Sequence, residues 1–296
     1  MPPLLAVPNV SEGGDEGRLR SLASAFSRGV TLLDRHSDAD HDRTVFTLAG
    51  EGGALVEALA AGATAALETI DMDAYRGAHP AIGALDVCPV VWTAPGQEEA
   101  AREWAREVGR RLGELGLPVF LYGALAVDPG RAERAYFRNG GLAELWLRMD
   151  SGELAPDFGP PAPHRSGGAT LVTARPPLAA FNVELDSGDA ELARAVAAEL
   201  RETGGGLPGV RAIGLLLSSG RAQVSTNVHD PLRVPLGEVV ERVRSLAAPL
   251  GARPVEAELV GLIPAAALTD YPQDVPMRGF DPALHVIERR LDAPND

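Results

Sequence analysis

Val210-Arg-Ala-Ile-Gly-Leu-Leu-Leu217 and Ala222-Gln-Val-Ser-Thr-Asn-Val228 are two short runs rich in apolar and β-branched residues. Such residues favour strands, because their side chains pack well on a pleated surface. Between the runs stand Ser218-Ser-Gly220, residue types that favour a tight turn. The pattern predicts a β-hairpin in the second half of the chain.

The sequence on either side of this hairpin supplies the rest of a fold. Before it, residues 178–185 alternate in the manner of a strand, and residues 189–202 carry apolar side chains at helical spacing. After it, residues 236–250 predict a second helix and residues 255–260 a closing strand. This order is the split βαββαβ, or ferredoxin-like, topology, in which both helices cover one face of the sheet.

The first half of the chain repeats this order in pattern, without convincing identity of residues. Its strands and helices are predicted at residues 4–10, 16–29, 30–34, 44–49, 53–70 and 85–93. A further helix, strand and helix follow at residues 98–115, 118–122 and 141–149. We therefore predict the α+β fold class, with two tandem ferredoxin-like (βαββαβ) subdomains that have antiparallel sheets and helices on one face. The N-terminal subdomain is expected at residues 1–176 and the C-terminal subdomain at residues 177–296.

The chain is acidic, with 296 residues, a formal net charge of −14 and a pI near 4.9. Binding to duplex nucleic acid needs a basic face, so no nucleic-acid partner is expected. The 27 lysine-plus-arginine residues are all arginine. The lack of lysine in the sequence excludes a P-loop lysine, a Schiff-base lysine and a lysine general base.

No membrane or targeting segment is predicted. No apolar run reaches the roughly 18 residues of a spanning helix, and the N-terminus lacks the basic region of a signal peptide. Cys88 is the only cysteine, which excludes an internal disulfide and a cysteine-rich metal site. It stands in an apolar run and is expected to be buried. We expect a cytoplasmic protein without a membrane partner.

A dense polar cluster runs from Asp34 to Arg43, between two predicted strands. Asp38, Asp40 and Asp42 alternate as in a calcium loop. The sixth position of that loop should be glycine and the twelfth glutamate, but Arg43 and Ala49 stand there. We therefore predict no metal site, and a solvated turn is the plain alternative.

A second cluster, Arg76 to Asp86, contains His79 between glycine and proline residues at the entry to a predicted strand. A histidine in such a fixed turn can transfer protons, because imidazole titrates near neutral pH. It can equally be a structural residue that binds a nearby carbonyl group. Spacing alone does not decide between these roles.

Eight short segments carry a resemblance to a known family: Val7–Gly13, Asp42–Val45, Gly77–Pro80, Gly83–Pro89, Pro118–Gly123, Ala155–Pro160, Ala222–Asn227 and Glu258–Pro264. They resemble, in this order, motifs of the formiminotransferase family. Asp42 stands where the family usually has asparagine. The likeness extends from residue 4 to about residue 270, and the cyclodeaminase domain of the animal enzyme has no counterpart, as in a stand-alone form.

The resemblance implies an enzyme that moves the formimino group of N-formimino-L-glutamate to N5 of tetrahydrofolate and releases glutamate, a step of histidine degradation and one-carbon metabolism. It implies tetrahydrofolate as co-substrate, folate bound in the cleft between the two subdomains, no metal and a homodimer. The family's catalytic histidine falls on His79. Its assisting aspartate falls on His36 in one register and on Asp38 in another, and we name Asp38.

The resemblance also assigns folate contacts to the segment from residue 159 to residue 168, where His164 and Arg165 replace apolar residues. The candidate folate-binding residues are Gly159, Pro160, His164, Arg165, Ser166, Gly167 and Gly168. Arginine binds carboxylates through two hydrogen bonds, so Arg43, Arg175 and Arg221 are candidates for the substrate carboxylates. An ordinary surface arginine is the plain alternative for each of them.

Two other functions fit less of the sequence. The same chemistry could use formiminoglycine, because only the carboxylate-binding groups would differ. Tandem ferredoxin-like units also serve as non-catalytic folate-binding or small-molecule modules. The complete segment around His79 argues against a non-catalytic role.

Overall fold

The structure, a computed structural model, describes residues 3–39, 42–77, 81–217 and 219–292. The chain divides into two compact units, residues 1–175 and residues 176–296. The strands and helices of the first unit are β1 (Leu4–Ala6), β2 (Asn9–Val10), α1 (Glu16–Phe26), β3 (Thr31–Asp38), β4 (Arg43–Gly50), α2 (Gly52–Thr69), β5 (Leu85–Val91), α3 (Glu98–Glu114), β6 (Val119–Leu121), α4 (Ala135–Arg138), α5 (Gly141–Asp150) and β7 (Thr170–Arg175).

The first sheet contains the predicted ferredoxin-like arrangement. The short strands β1 and β2 follow one another along the same line, and both pair antiparallel with β4 on one side and β5 on the other. Strand β3 pairs with β4 at the outer edge. The order β3–β4–β1/β2–β5 is that of the split βαββαβ unit.

Two strands extend this sheet beyond the predicted unit. Strand β7 pairs parallel with β5, and β6 pairs parallel with β7. Parallel neighbours need a crossover connection rather than a hairpin, and α3 provides it between β5 and β6. The prediction of antiparallel sheets is therefore wrong for this part of the first sheet. Strand β7 itself was not predicted, although its sequence Thr-Leu-Val-Thr-Ala-Arg is typical of a strand.

The extended part of the first sheet is covered on both faces. Helices α1, α2 and α3 contribute to the core on one face, where Cys88 and Val90 of β5 are buried. Side chains of α4 and α5 form a second core with Phe120 and Leu171 on the other face. Strand β5 is consequently buried at all seven positions, and burial raises the pKa of the Cys88 thiol.

Local sequence features explain how α1 and α2 pack on the first core. The side chain of Asp15 caps α1 by accepting hydrogen bonds from two amides of its first turn. On α2, a Cβ at Gly62 would lie 2.0 Å from the ring of Phe26, so glycine permits the close contact of the two helices. Phe26 is fully buried and its ring lies 5.1 Å from that of Phe46 on the sheet.

The second unit forms a smaller sheet. Its elements are β8 (Ala179–Leu185), α6 (Ala190–Leu200), β9 (Val210–Leu216), β10 (Ala222–Val228), α7 (Leu236–Ala247), β11 (Pro254–Val260), α8 (Pro282–His285) and α9 (Ile287–Asp292). The strand order is β11–β8–β10–β9, antiparallel throughout. The hairpin predicted from the sequence is confirmed, with Val210 opposite Val228 and Leu216 opposite Ala222.

The predicted α+β class with two subdomains is thus confirmed. Helices α6 and α7 share one core with the buried side of the second sheet. In the part of the chain that the structure describes, no helix is long and apolar enough to cross a membrane.

Candidate active site

The described residues at the two ends of the connection between β3 and β4 lie against a glycine near the N-terminus. Asp38, the last residue of β3, pairs with Arg43, the first residue of β4. Asp42 has a φ of 48°, a conformation that aspartate adopts more readily than most residues. Its carboxylate accepts a hydrogen bond from the amide of Gly13 at 2.9 Å. A Cβ on Gly13 would lie 2.2 Å from the carbonyl oxygen of Asp38, so this approach requires glycine.

The N-terminal segment that receives this turn is anchored at several points. The hydroxyl of Thr44 donates to the carbonyl of Glu12 at 2.6 Å, and the hydroxyl of Ser11 donates to the carbonyl of Gly83 at 2.8 Å. The carboxylate of Glu12 accepts hydrogen bonds from the two backbone amides at positions 14 and 15, each at 2.9 Å. These contacts join the start of β4 to the segment that follows His79 in the chain.

The segment that contains His79 is described on both sides, whereas residues 78–80, His79 among them, lie outside the described residues. On the N-terminal side, a Cβ at Gly77 would lie 2.3 Å from the hydroxyl oxygen of Tyr75 and 2.8 Å from the Cβ of Asp42. Burial, and then the charge of Asp42, raises the pKa of Tyr75 to about 12. This flank therefore lies beside the β3–β4 turn.

On the C-terminal side, Asp86 occupies a β-bulge at the start of β5. Two adjacent residues of β2 pair with positions 85 and 87, which leaves Asp86 as the extra residue of the bulge. Its carboxylate is 2% exposed, accepts a hydrogen bond from the amide of Ile82 at 2.9 Å and forms an ion pair with Arg138. Asp86 thus connects the flank of the 78–80 segment to α4.

Three residues that we call the arginine cluster lie within electrostatic range of one another: Arg43 on β4, Arg134 immediately before α4, and Arg138 at the end of α4. Burial is the main cause that lowers the pKa of Arg43, and the charges of the other two arginines lower it further. The negative charge of Asp86 acts in the opposite direction. Within the described ranges, the guanidinium groups of Arg43 and Arg134 form no hydrogen bond or ion pair.

The predicted substrate residue Arg175 lies near the same cluster, at the end of β7. Burial is the main cause that lowers its pKa, and the charge of Arg134 adds to it. Burial raises the pKa of Tyr122, which follows β6, while the charges of Arg134 and Arg175 oppose that change. The charge of Arg134 therefore acts on Arg43, Tyr122 and Arg175.

The predicted substrate residue Arg221 belongs to the second unit. Its guanidinium lies 3.3 Å from the carboxylate of Glu184 and 3.8 Å from that of Glu256. Arg221 thus has carboxylate partners within its own sheet.

The predicted folate segment ends in a turn that is bound to both flanks of the 78–80 segment. Nδ1 of His164 accepts a hydrogen bond from the amide of Gly167 at 2.9 Å, which gives this side chain a structural role. The carbonyl of Ser166 accepts from the amide of Met72 at 2.8 Å, and the carbonyl of Gly167 accepts from the amide of Ala84 at 2.9 Å.

The remaining residues of that segment differ in exposure. Gly159 has a φ of 83° and Gly168 a φ of 70°, in the region that favours glycine. Pro160 is half-buried, whereas Arg165 is exposed and forms no ion pair among the described residues. Arg165 is the side chain of this segment that is free to meet an anionic group.

In the first unit, the structure brings together Asp38, Arg43, the described flanks of the 78–80 segment and the turn at residues 164–168. His36, the other candidate for an assisting group, is exposed, whereas Asp38 is half-buried. Four residues that the sequence analysis did not assign join this site. They are Asp86, Tyr122, Arg134 and Arg138.

The sequence contains more information about two of these four residues than about the other two. Asp86 and Tyr122 stand inside family-like segments, so attention to those segments could have found them. Arg134 and Arg138 stand in a stretch for which no element was predicted, and only their spacing with Arg131 marks one face of a helical turn. Within the described residues there is no group of three or more His, Cys, Asp or Glu side chains that could hold a metal ion.

The fold and this site define the class of protein: two tandem ferredoxin-like subdomains, of which the first carries an arginine-rich site beside the 78–80 segment. Comparison with family models supplies the family. The formiminotransferase domain, N-terminal subdomain, matches residues 4–175, and the formiminotransferase domain matches residues 180–273. The chain belongs to the formiminotransferase family and, as a member of it, is an enzyme of the transferase class.

Several relatives are similar over most of the chain. Glutamate formimidoyltransferase of Thermoplasma acidophilum is 36% identical over 97% of this chain and 96% of its own length. Glutamate formimidoyltransferase of Streptococcus pyogenes is 36% identical over 96% of this chain and 97% of its own length. Formimidoyltransferase-cyclodeaminase of Gallus gallus is 40% identical over 89% of this chain, which corresponds to 50% of the chicken protein.

Proposed function

We propose that this chain is a glutamate formimidoyltransferase, which transfers the formimino group of N-formimino-L-glutamate to N5 of tetrahydrofolate and releases L-glutamate. The observation that carries the proposal is the similarity to two proteins of that name over at least 96% of both chains. We assign its two subdomains to residues 1–176 and 177–296. A cytoplasmic homodimer in histidine degradation fits this assignment.

The chemistry requires two proton movements. N5 loses a proton as it attacks the amidine carbon, and the departing glutamate nitrogen gains one. We assign both transfers to the imidazole of His79, because imidazole can accept and return a proton near neutral pH. Asp38 is the residue we assign to orient the imidazole and to stabilise its charged form. Its half-buried position at the end of β3 supports that role, because Asp42, at the other end of the same connection, lies beside Gly77.

The residues at positions 159–168 suit a ligand with an anionic tail. The turn from His164 to Gly168 is rigidly held by backbone hydrogen bonds, and it presents the exposed guanidinium of Arg165. We assign the segment to tetrahydrofolate, with Arg165 at a carboxylate of the folate tail. Arg43, Arg175 and Arg221 remain candidates for the carboxylates of the two substrates.

The test of this proposal is the variant His79→Asn, which keeps a similar shape but cannot titrate. We expect kcat to fall by about 10²- to 10⁴-fold, the usual contribution of general acid–base catalysis. Folate affinity should change far less, because proton transfer acts mainly in the transition state. The wild-type rate should depend on a group that titrates near neutrality, and that dependence should vanish in the variant.

His285→Asn is the matched control, because His285 is a half-buried histidine on α8 of the second unit, outside the assigned machinery, and should keep normal kcat. Assays with formiminoglutamate and formiminoglycine in parallel identify the preferred donor. A folded His79→Asn protein with near-normal kcat would refute the catalytic role.

A further inference from the structure

The arginine cluster contains two arginines without a carboxylate partner among the described residues. The chain has 41 acidic residues and 27 arginines, so carboxylate partners are plentiful. Even so, Arg43 and Arg134 are half-buried residues whose guanidinium groups have no hydrogen-bonding or ion-pair partner among the described residues. Such unpaired, partly desolvated charge is costly in the free protein, and it is typical of a site that receives an anion.

The third member of the cluster also has unused binding capacity. One nitrogen of the Arg138 guanidinium pairs with Asp86, whereas its Nε is buried without a hydrogen-bond partner. Its side chain is 11% exposed. The buried carboxylate of Asp86 therefore positions Arg138, and the Nε–H of Arg138 remains available to a ligand.

The members of the cluster come from separate elements of the first unit. Arg43 begins β4, opposite Asp38 in the backbone pairing of the β3–β4 hairpin, where we place the proton transfer. Arg134 immediately precedes α4 and lies one helical turn before Arg138. This arrangement suits a small ligand with two separate carboxylates, because arginine binds each carboxylate through two hydrogen bonds.

We propose that the arginine cluster binds the amino-acid donor by both carboxylates, with Arg43 at the α-carboxylate and Arg134, assisted by Arg138, at the side-chain carboxylate. The inference rests on the proposed function and deepens it. Formiminoglycine has only the α-carboxylate, so Arg134 is the residue that selects the glutamate derivative. The α-carboxylate stays next to the reacting nitrogen in both donors, which matches the position of Arg43 beside Asp38.

The carboxylates of the folate tail are the other source of the same chemistry. They are separated from N5 by the whole aminobenzoyl group, whereas the donor carboxylates are close to the transferred group. The cluster is connected to the 78–80 segment through Asp86 and the amide of Ile82. This proximity favours the donor over the folate tail.

The test is the variant Arg134→Gln, which keeps hydrogen-bonding atoms but loses the charge. We expect the KM for formiminoglutamate to rise about 10- to 100-fold, the equivalent of one charge-assisted interaction. The KM for formiminoglycine should change less than about twofold on the same scale. Arg43→Gln should instead weaken both donors. Arg106→Gln removes an exposed charge from α3 and should leave all constants unchanged.

Two further measurements separate specificity from other roles. The melting temperature of ligand-free Arg134→Gln should equal or exceed that of the wild type, because an unpaired charge is removed. Assays with tetrahydropteroate, which lacks the glutamate tail, should show the same loss as assays with tetrahydrofolate. A loss seen only with the glutamate-bearing folate would assign Arg134 to the folate and overturn the inference.

Equal effects of Arg134→Gln on both donors, or no effect on either, would also overturn it while leaving the proposed function intact. If the wild type transfers from neither donor, the proposed function fails instead. Calorimetric titration with L-glutamate then still tests the site: binding that Arg134→Gln abolishes supports a dicarboxylate site, and the absence of wild-type binding overturns it.

Discussion

In the first unit, the face of the sheet opposite α1–α3 carries apolar side chains on β5, β6 and β7, such as Val87 and Phe120. In the second unit, the face of the sheet opposite its core carries polar side chains, among them Asn182, Glu184 and Gln223. Both units have the ferredoxin-like strand order. The topology therefore does not determine how the second face of the sheet is used.

The strand sequences of the two sheets show whether the second face is buried or polar. Strand β5 reads Leu-Asp-Val-Cys-Pro-Val-Val, a nearly continuous apolar run, because helices cover both of its faces. Strand β10 reads Ala-Gln-Val-Ser-Thr-Asn-Val, which alternates because one face is packed and the other is polar. A continuous run within a ferredoxin-like pattern thus indicates an added layer.

The two units also hold their buried carboxylates differently. Asp86 and Arg138 are 2% and 11% exposed. Glu184 is equally buried at 3%, but its partners Arg221 and Arg278 are 52% and 47% exposed. In the first unit both members of the ion pair are therefore buried, whereas in the second unit a buried carboxylate pairs with arginines that are half exposed.

The largest expected effect tests the added layer of the first unit. Phe137 on α4 is fully buried, and its ring lies 5.2 Å from that of Phe120. Phe137→Ala should lower the free energy of unfolding by about 4 kcal/mol, because it leaves a cavity in a packed core. Urea denaturation measures the loss.

Leu147→Ala is the matched control on the neighbouring helix α5, where Leu147 is 63% exposed. It should change the free energy of unfolding by no more than about 0.5 kcal/mol. Similar values for the two variants would show that α4 and α5 do not form a core with the sheet.

The next effect compares the two ion pairs. Arg138→Met should lower the free energy of unfolding by about 3 kcal/mol, because Asp86 would remain buried without this partner. Arg278→Met in the second unit should cost less than about 1 kcal/mol, because Glu184 keeps Arg221 and the lost partner is half exposed. Urea denaturation of both variants in the same buffer gives the difference, and equal costs would contradict the distinction between enclosed and surface pairs.

The smallest expected change in the free energy of unfolding concerns one tyrosine in each unit. Burial raises the pKa of Tyr75 from 10.0 to about 12. Below pH 10.0 the phenol is neutral in both states; as the pH rises to about 12 the unfolded chain ionises first, so stability is lost in this window. Tyr75→Phe should reduce that alkaline loss of stability, as measured by urea denaturation on both sides of this window.

Tyr271 is the counterpart in the second unit, and burial also raises its pKa. Its hydroxyl is buried without a hydrogen-bond partner in the described structure. Tyr271→Phe should therefore raise the free energy of unfolding at neutral pH by up to about 1 kcal/mol, because an unsatisfied polar group is removed. A loss of stability in this variant would mean that the hydroxyl makes a stabilising contact.

Much of the fold was predictable, because the spacing of apolar residues along the chain indicates individual strands and helices. The hairpin β9–β10 and the helix faces of α1 and α6 follow from periods of 2.0 and 3.6 residues. Strand β7 escaped prediction because it follows a segment rich in proline and glycine, and because a central parallel strand has no hairpin partner next to it in the chain. The predicted strand at residues 4–10 is two strands, separated by a two-residue gap that contains Pro8.

The candidate site residues also divide into those that the sequence predicts and those that only the tertiary structure reveals. Residue types and family-like segments pointed to His79, Asp38 and the segment at 159–168, because those signals are local in the sequence. The arginine cluster was decided by the tertiary structure, since its members come from positions 43, 134 and 138. Asp86 interacts with both Arg43 and Arg138, because β2 lies between β4 and β5 and because Asp86 is the extra residue of a bulge at the start of β5. Register and bulges set which face a side chain occupies, and they depend on strand partners that are distant in the chain.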